Sequence, residues 1–105
     1  MTTTFDKREE GFERQFVHDE ELRFKAVARR NRLLGLWAAG LLGKSGTDAE
    51  AYAKEVVLAD FETGGHDAAH KLINDLAVAG IDESQIRAKM DELLMQAAAQ
   101  IKAGA

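Results

Sequence analysis

From Asp19 onward, apolar residues recur at helical spacing. Leu22, Ala26, Leu33, Trp37 and Leu41 line one face at 3.6 residues per turn, and Gly43 is placed as a C-terminal stop. Thr47-Asp48-Ala49-Glu50 spells a capping box, in which hydroxyl and carboxylate each satisfy a backbone N–H that a helix start leaves open. A second helix is therefore expected over 47–62, with Ala49, Tyr52, Ala53, Val56 and Ala59 inward and Gly64-Gly65 at its end. A third, over 66–79, turns Leu72, Ile73 and Leu76 inward and stops at Gly80. Next, Asp82 with Gln85 forms a second capping box, and Ile81 can pack on Ile86 as a hydrophobic staple. The fourth helix, over 82–103, puts Ile86, Met90, Leu93, Leu94, Ala97 and Ile101 on one stripe. The pattern predicts an all-α protein: a small four-helix bundle over 19–105, its first helix spanning about 19–42. Ahead of it, residues 1–18 alternate charges with phenylalanines and hold too little apolar surface to fold alone, so they are expected to form a flexible N-terminal arm.

Composition narrows the possibilities. The chain has 105 residues, which suits one domain, and contains neither proline nor cysteine. Thiol catalysis, disulfides and thiolate metal sites are excluded. The longest apolar run, Leu33 to Leu42, is too short to cross a bilayer, and the first residues lack a secretory pattern, so a cytoplasmic protein without direct membrane insertion is expected. The net charge of -4 hides a division: residues 1–22 carry -4, residues 23–32 carry +5 and residues 33–105 carry -5.

Few constellations point to chemistry. Gly43-Lys44-Ser45 resembles the end of a phosphate loop, but Ala38 stands where the first glycine belongs and the preceding segment is helical; a glycine cap accounts for it, leaving at most a weak anion contact at Lys44. His66 and His70 share a helix face, yet only Asp67 and the distant His18 are available to complete a metal site, so none is expected. Ser45 and Ser84 lie in turn and cap positions without a base. Neither an enzyme nor a cofactor is expected.

Two features stand out. Arg23, Lys25, Arg29, Arg30 and Arg32 form a basic segment without an acid, which is either a solvated face paired with carboxylates such as Asp19, Glu20 and Glu21, or a docking patch for an acidic protein or a phosphate backbone. Aromatic residues for stacking on bases are scarce there, and nucleic acid is not the expected partner. The other feature is the arm. As a helix it places Phe5, Phe12 and Phe16 within about 40° of one another around the axis, the stripe of a helix that docks in a groove on another protein or folds back on its own bundle. Gly11 costs such a helix about 0.8–1 kcal/mol relative to Ala, so folding on contact is expected.

Three stretches carry a family resemblance: Phe5-Asp6-Lys7-Arg8-Glu9-Glu10-Gly11-Phe12-Glu13-Arg14-Gln15-Phe16, then His18-Asp19-Glu20-Glu21-Leu22-Arg23-Phe24-Lys25-Ala26, then Ala28-Arg29-Arg30-Asn31-Arg32-Leu33-Leu34-Gly35-Leu36-Trp37-Ala38-Ala39. With Tyr52-Ala53-Lys54-Glu55-Val56-Val57 and Ala59-Asp60-Phe61-Glu62, the chain closely resembles the zeta subunit of alphaproteobacterial ATP synthase, a family that inhibits ATP hydrolysis. The resemblance implies a four-helix bundle whose N-terminal segment inserts as a helix into a catalytic interface of the synthase head, formed by alpha and beta subunits, beside the gamma rotor. It further implies Phe5, Phe12 and Phe16 as anchors, Arg8 and Arg14 as polar contacts, and a free protein that is monomeric and peripheral to the inner membrane through the synthase. Gly11 and Gly40-Leu41 depart from the family's pattern. An interaction module using residues 23–32 is the alternative, and a nucleotide-binding regulator using Lys44 the weaker one.

Overall fold

The computed structural model describes residues 20–63 and 67–104. The arm, Asp19 and the Gly64-Gly65 stop lie outside these residues. Among the described residues there are four α-helices and no strand: α1 (Glu20–Leu41), α2 (Gly46–Glu62), α3 (Asp67–Leu76) and α4 (Glu83–Lys102), with a 3₁₀ turn, Ala77–Ala79, extending α3. The expected all-α bundle is what forms. The longest helix, α1, is its axis, packing against both α2 and α4, while α3 closes the remaining side.

The turns are written by glycine. At Gly43, φ is +78°; Lys44 N–H reaches back to Ala39 O at 2.8 Å and Gly43 N–H to Gly40 O at 3.2 Å. These two bonds satisfy carbonyls that the end of α1 would leave open, and only glycine enters this left-handed region without strain. The same pair of bonds recurs at Gly80, where Ile81 N–H reaches Leu76 O and Gly80 N–H reaches Ala77 O. Two residues later Asp82 Oδ1 accepts from Gln85 N–H at 2.8 Å and Gln85 Oε1 accepts from Asp82 N–H at 3.0 Å, the expected capping box. Ile81, between stop and start, packs on the core cluster that contains Leu76 and Ile86.

The other expected box, Thr47 with Glu50, does not form. The helix begins earlier, at Gly46, with an extended Ser45 as N-cap that makes no side-chain cap bond. The acid the box needs is engaged elsewhere, because both Glu50 carboxylate oxygens accept from Arg32 Nη2 of α1, at 2.9 and 3.0 Å. The third helix is also shorter than expected, with its last three residues tightened into the 3₁₀ turn.

Leu34, Ala38, Val56, Leu72, Leu76 and Ile86 are fully buried at the centre, joined by Tyr52 and Leu93. Burying each large aliphatic side chain contributes about 1.5–3 kcal/mol. A smaller cluster, Ala26 with Ala98, gathers Leu22, Leu94 and Ile101 at the other end of α1. The buried face of α1 is not the expected one: it carries Asn31, Leu34, Gly35, Ala38 and Ala39 as well as Ala26, whereas Leu41 is exposed and Leu33 and Trp37 flank the core. The reason is spacing between helices. A Cβ on Gly35 would sit 2.6 Å from Ala53 Cα and 3.1 Å from Ala53 Cβ, so α1 and α2 meet where side chains are smallest.

This contact predicts opposite effects for two glycines of one helix. Gly35→Ala should destabilise the protein by about 1–3 kcal/mol through overpacking. Gly40→Ala, where an added Cβ meets nothing within 4 Å, should be neutral or stabilising by up to about 1 kcal/mol. Urea denaturation midpoints of the two variants check both signs.

Candidate functional site

Successive 100° steps divide the basic segment between two sides of α1. Arg23 and Arg30 are seven residues apart on one side; Lys25, Arg29 and Arg32 fall on another. On the second side Lys25 Nζ pairs with Glu21 at 3.1 Å and Arg32 with Glu50 at 2.9 Å, while Arg29 is half-buried. Pairing with Glu21 follows one of the two expectations for this segment. Arg23 is exposed. Arg30 turns inward: its Nε and Nη2 donate to Asn31 Oδ1 at 3.1 and 3.0 Å, and Nη2 lies 3.9 Å from Asp60 Oδ2. Burial pushes the Arg30 guanidinium below its ordinary pKa, against the opposing pull of Asp60 and Asp91. The five residues are thus not brought together as one open cationic face.

Asp60 is the hub of this inner group. Its Oδ2 accepts from Asn31 Nδ2 at 2.8 Å and its Oδ1 from the backbone N–H of Ala68 at 3.2 Å, so one buried carboxylate ties α1, α2 and the first turn of α3 together. No buried side-chain nitrogen or oxygen among the described residues lacks a hydrogen-bond partner. Periodicity assigns Asn31 and Asp60 no role. The available signal was register: Asp60 follows Tyr52 and Val56 at steps of four on the apolar stripe of α2, and Asn31 precedes Leu34 by three.

A second polar group lies between α2 and α3. Tyr52 Oη donates to Asp75 Oδ2 at 2.7 Å; Lys71 Nζ pairs with Asp75 and Glu55 and lies 5.1 Å from the Tyr52 ring centroid. Lys44 Nζ also faces that ring, at 6.0 Å. Lys44 therefore sits over an aromatic ring, and Gly43 serves the helix stop. Burial and then Asp75 hold the Tyr52 hydroxyl well above its ordinary pKa. A phenol whose folded pKa is raised contributes stability that is fully present below about pH 10, the unfolded value, and declines as pH rises further. His70 lies 3.8 Å from Asp67, and no cluster able to hold a metal ion occurs among the described residues.

A cleft of about 590 Å³ lies between the first described turns of α1 and the end of α2. Phe24, Val27 and Ala28 of α1 and Val57, Leu58 and Phe61 of α2 line it, together with Glu20, Arg23 and the Arg30, Asn31 and Asp60 group. The rings of Phe24 and Phe61 meet edge to face at 6.2 Å. What its walls offer is mainly apolar contact. Periodicity did not reveal it, since these residues lie off the core stripes. The anchors and polar contacts expected in the arm, Phe5, Arg8, Phe12, Arg14 and Phe16, lie outside the described residues.

Compared with known families, the chain matches the ATPase inhibitor subunit zeta model over residues 1–100, from the arm nearly to the end of α4. The chain belongs to the family of ATPase inhibitor subunit zeta. Members are regulatory rather than enzymatic, and the partner the family implies is ATP synthase. No match emerges among curated proteins. A solved protein, described as a solution NMR structure, is similar to this chain at 49% identity, with a TM-score of 0.70, covering 80% of this chain and 99% of its own. No helix among the described residues of this inhibitor-family chain is long and apolar enough to cross a membrane.

The Asp60 hub yields a stability prediction. Asp60→Ala strands the Asn31 amide, the Ala68 N–H and the half-buried Arg30 charge, and should cost about 3–5 kcal/mol. Arg32→Ala removes an exposed pair and should cost under about 1 kcal/mol. Chemical denaturation of the two variants, read side by side, tests the ranking.

Proposed function

We propose that this chain is an inhibitor of ATP hydrolysis by ATP synthase, acting through residues 1–18 as an arm and using residues 19–105 as the scaffold that presents it. The observation that carries this proposal is the family match, which begins at residue 1 and so takes in the arm as well as the bundle. The arm enters as a helix at a catalytic interface between the alpha and beta subunits, beside the gamma rotor. Phe5, Phe12 and Phe16 anchor its apolar stripe, and Arg8 and Arg14 supply polar contacts. The first described residue, Glu20, already lies in α1, the longest helix of the scaffold. The protein works at the membrane periphery, through the synthase.

An inhibitor slows only the conformations it prefers to bind. A wedge that fits the interface presented during hydrolysis and is expelled during synthesis acts in one direction. Replacing any one of the three phenylalanines by Ala should weaken inhibition by about 10- to 30-fold, the loss of an anchor worth roughly 1.4–2 kcal/mol. ATPase rates of the homologous synthase, titrated with each variant, measure this. A chain starting at Asp19 that inhibits as well as the full chain would overturn the role of the arm.

A further inference from the structure

Phe24, Leu58 and Phe61 are 59%, 55% and 66% exposed, although the two rings touch. Val27, Ala28 and Val57, which line the same cleft, are half-buried. Together they form an apolar surface shared by α1 and α2, and on a small protein a surface of this kind marks a contact with something else. The polar residues of the cleft do not ask for a ligand in the same way, since Arg30 is bonded to Asn31 and Asn31 to Asp60.

The lining residues lie at helical spacing on both elements: Phe24, Val27, Ala28 and Asn31 on α1, Val57, Leu58 and Phe61 on α2. Two such ridges side by side accept the ridge of a third helix. Along α1 the lining runs from Glu20 to Asn31, about 16 Å or three turns of an incoming helix. Charge adds a second requirement. In the basic segment Lys25, Arg30 and Arg32 are engaged within the bundle, and Arg29 is engaged too. Arg23 lines the cleft, is exposed and makes no ion pair among the described residues. A helix with an acidic residue beside its apolar stripe meets both demands.

Area and charge separate the occupants. An anionic bilayer is attracted by four to eight clustered cations, whereas this cleft offers one unengaged arginine with Glu20 a turn away. Large side chains bring about 150–250 Å² each when wholly buried, so three that are little more than half exposed supply well under the about 800 Å² that each member of a stable dimer covers. So small a contact holds a partner only when that partner is gripped at another point as well, where linkage raises the joint affinity by about 10²- to 10⁴-fold. The family's partner, ATP synthase, is such a partner if residues 1–18 engage it.

We infer that the groove between α1 and α2 takes an amphipathic surface helix of ATP synthase, one that sets large apolar residues against Phe24, Leu58 and Phe61 and an acidic residue against Arg23. This inference rests on the reading of the chain as an inhibitor that grips the synthase through its arm, and adds the site by which the bundle fixes its own position on the complex.

The full chain and the homologous synthase provide the test. A photoreactive benzophenone side chain introduced at Phe61 should crosslink to a synthase subunit; one at Val78, which is exposed but does not line the cleft, should not. A crosslink to a second copy, to the chain's own residues or to no synthase subunit overturns the proposal. Leu58→Glu and Arg23→Glu, both at exposed positions, should each weaken inhibition by about tenfold with the urea midpoint unchanged. If a midpoint falls, Phe61→Ser, which adds no charge, is read in its place. Inhibition as strong as that of the parent chain by these variants overturns the groove contact and leaves the arm's role standing. Full inhibition by a chain with Phe5, Phe12 and Phe16 all replaced by Ala removes the arm's role instead, and crosslinking of that chain from Phe61 at raised concentration shows the groove contact without it.

Discussion

The bundle is organised around the near-contact of α1 and α2 at Gly35 and Ala53. There is no room for a Cβ on Gly35, and this closeness sets what the neighbouring positions can be: Ala38 and Ala39 follow on the same face, and all three are buried. Two helices held this near bring polar groups into direct reach across the gap, Asn31 to Asp60 and Arg32 to Glu50. Asp60 then passes the constraint to α3 by accepting the Ala68 N–H. The larger aliphatic residues, Leu34, Leu72, Leu76 and Ile86, fill the space that remains toward α3 and α4. A core of this kind depends less on side-chain volume than on how closely two backbones approach.

Much of the fold was legible because its punctuation is local. The stop at Gly80 and the start at Asp82 with Gln85 involve residues within six positions of one another, and they form as the pattern indicates. The start of α2 departs from the local pattern in that the partner of Glu50 is not local: Arg32 engages its carboxylate from another helix. The inner face of α1 was misplaced for a related reason. Hydrophobic size favoured Leu33, Trp37 and Leu41, whereas the close crossing selects glycine, alanine and one asparagine. Buried polar residues in an apolar register, such as Asn31 and Asp60, are hard to assign from periodicity, because their partners lie on other elements. The basic segment stood out as a charge run, but its division between two sides of α1 becomes visible only when a helix is built.

The character of the bundle follows from what the described residues hold. Their buried polar side-chain atoms are all hydrogen-bonded, and the cleft presents mostly apolar surface. Such a body is suited to holding something in place. Its membership in a family of ATPase inhibitors, matched from the first residue, agrees with that character.

One feature of α1 carries a mechanical consequence. Its C-terminal half is embedded in the main core through Leu34, Ala38 and Ala39, while its first turns rest on the small satellite cluster of Ala26 and Ala98. Local opening requires less free energy where fewer apolar contacts are lost. α1 is therefore graded in compliance along its described length, firm where it is embedded in the main core and softer over the turns that rest on the satellite cluster. A graded beam of this kind spreads a load on its softer turns along the helix, so that it bends there before the main core is breached.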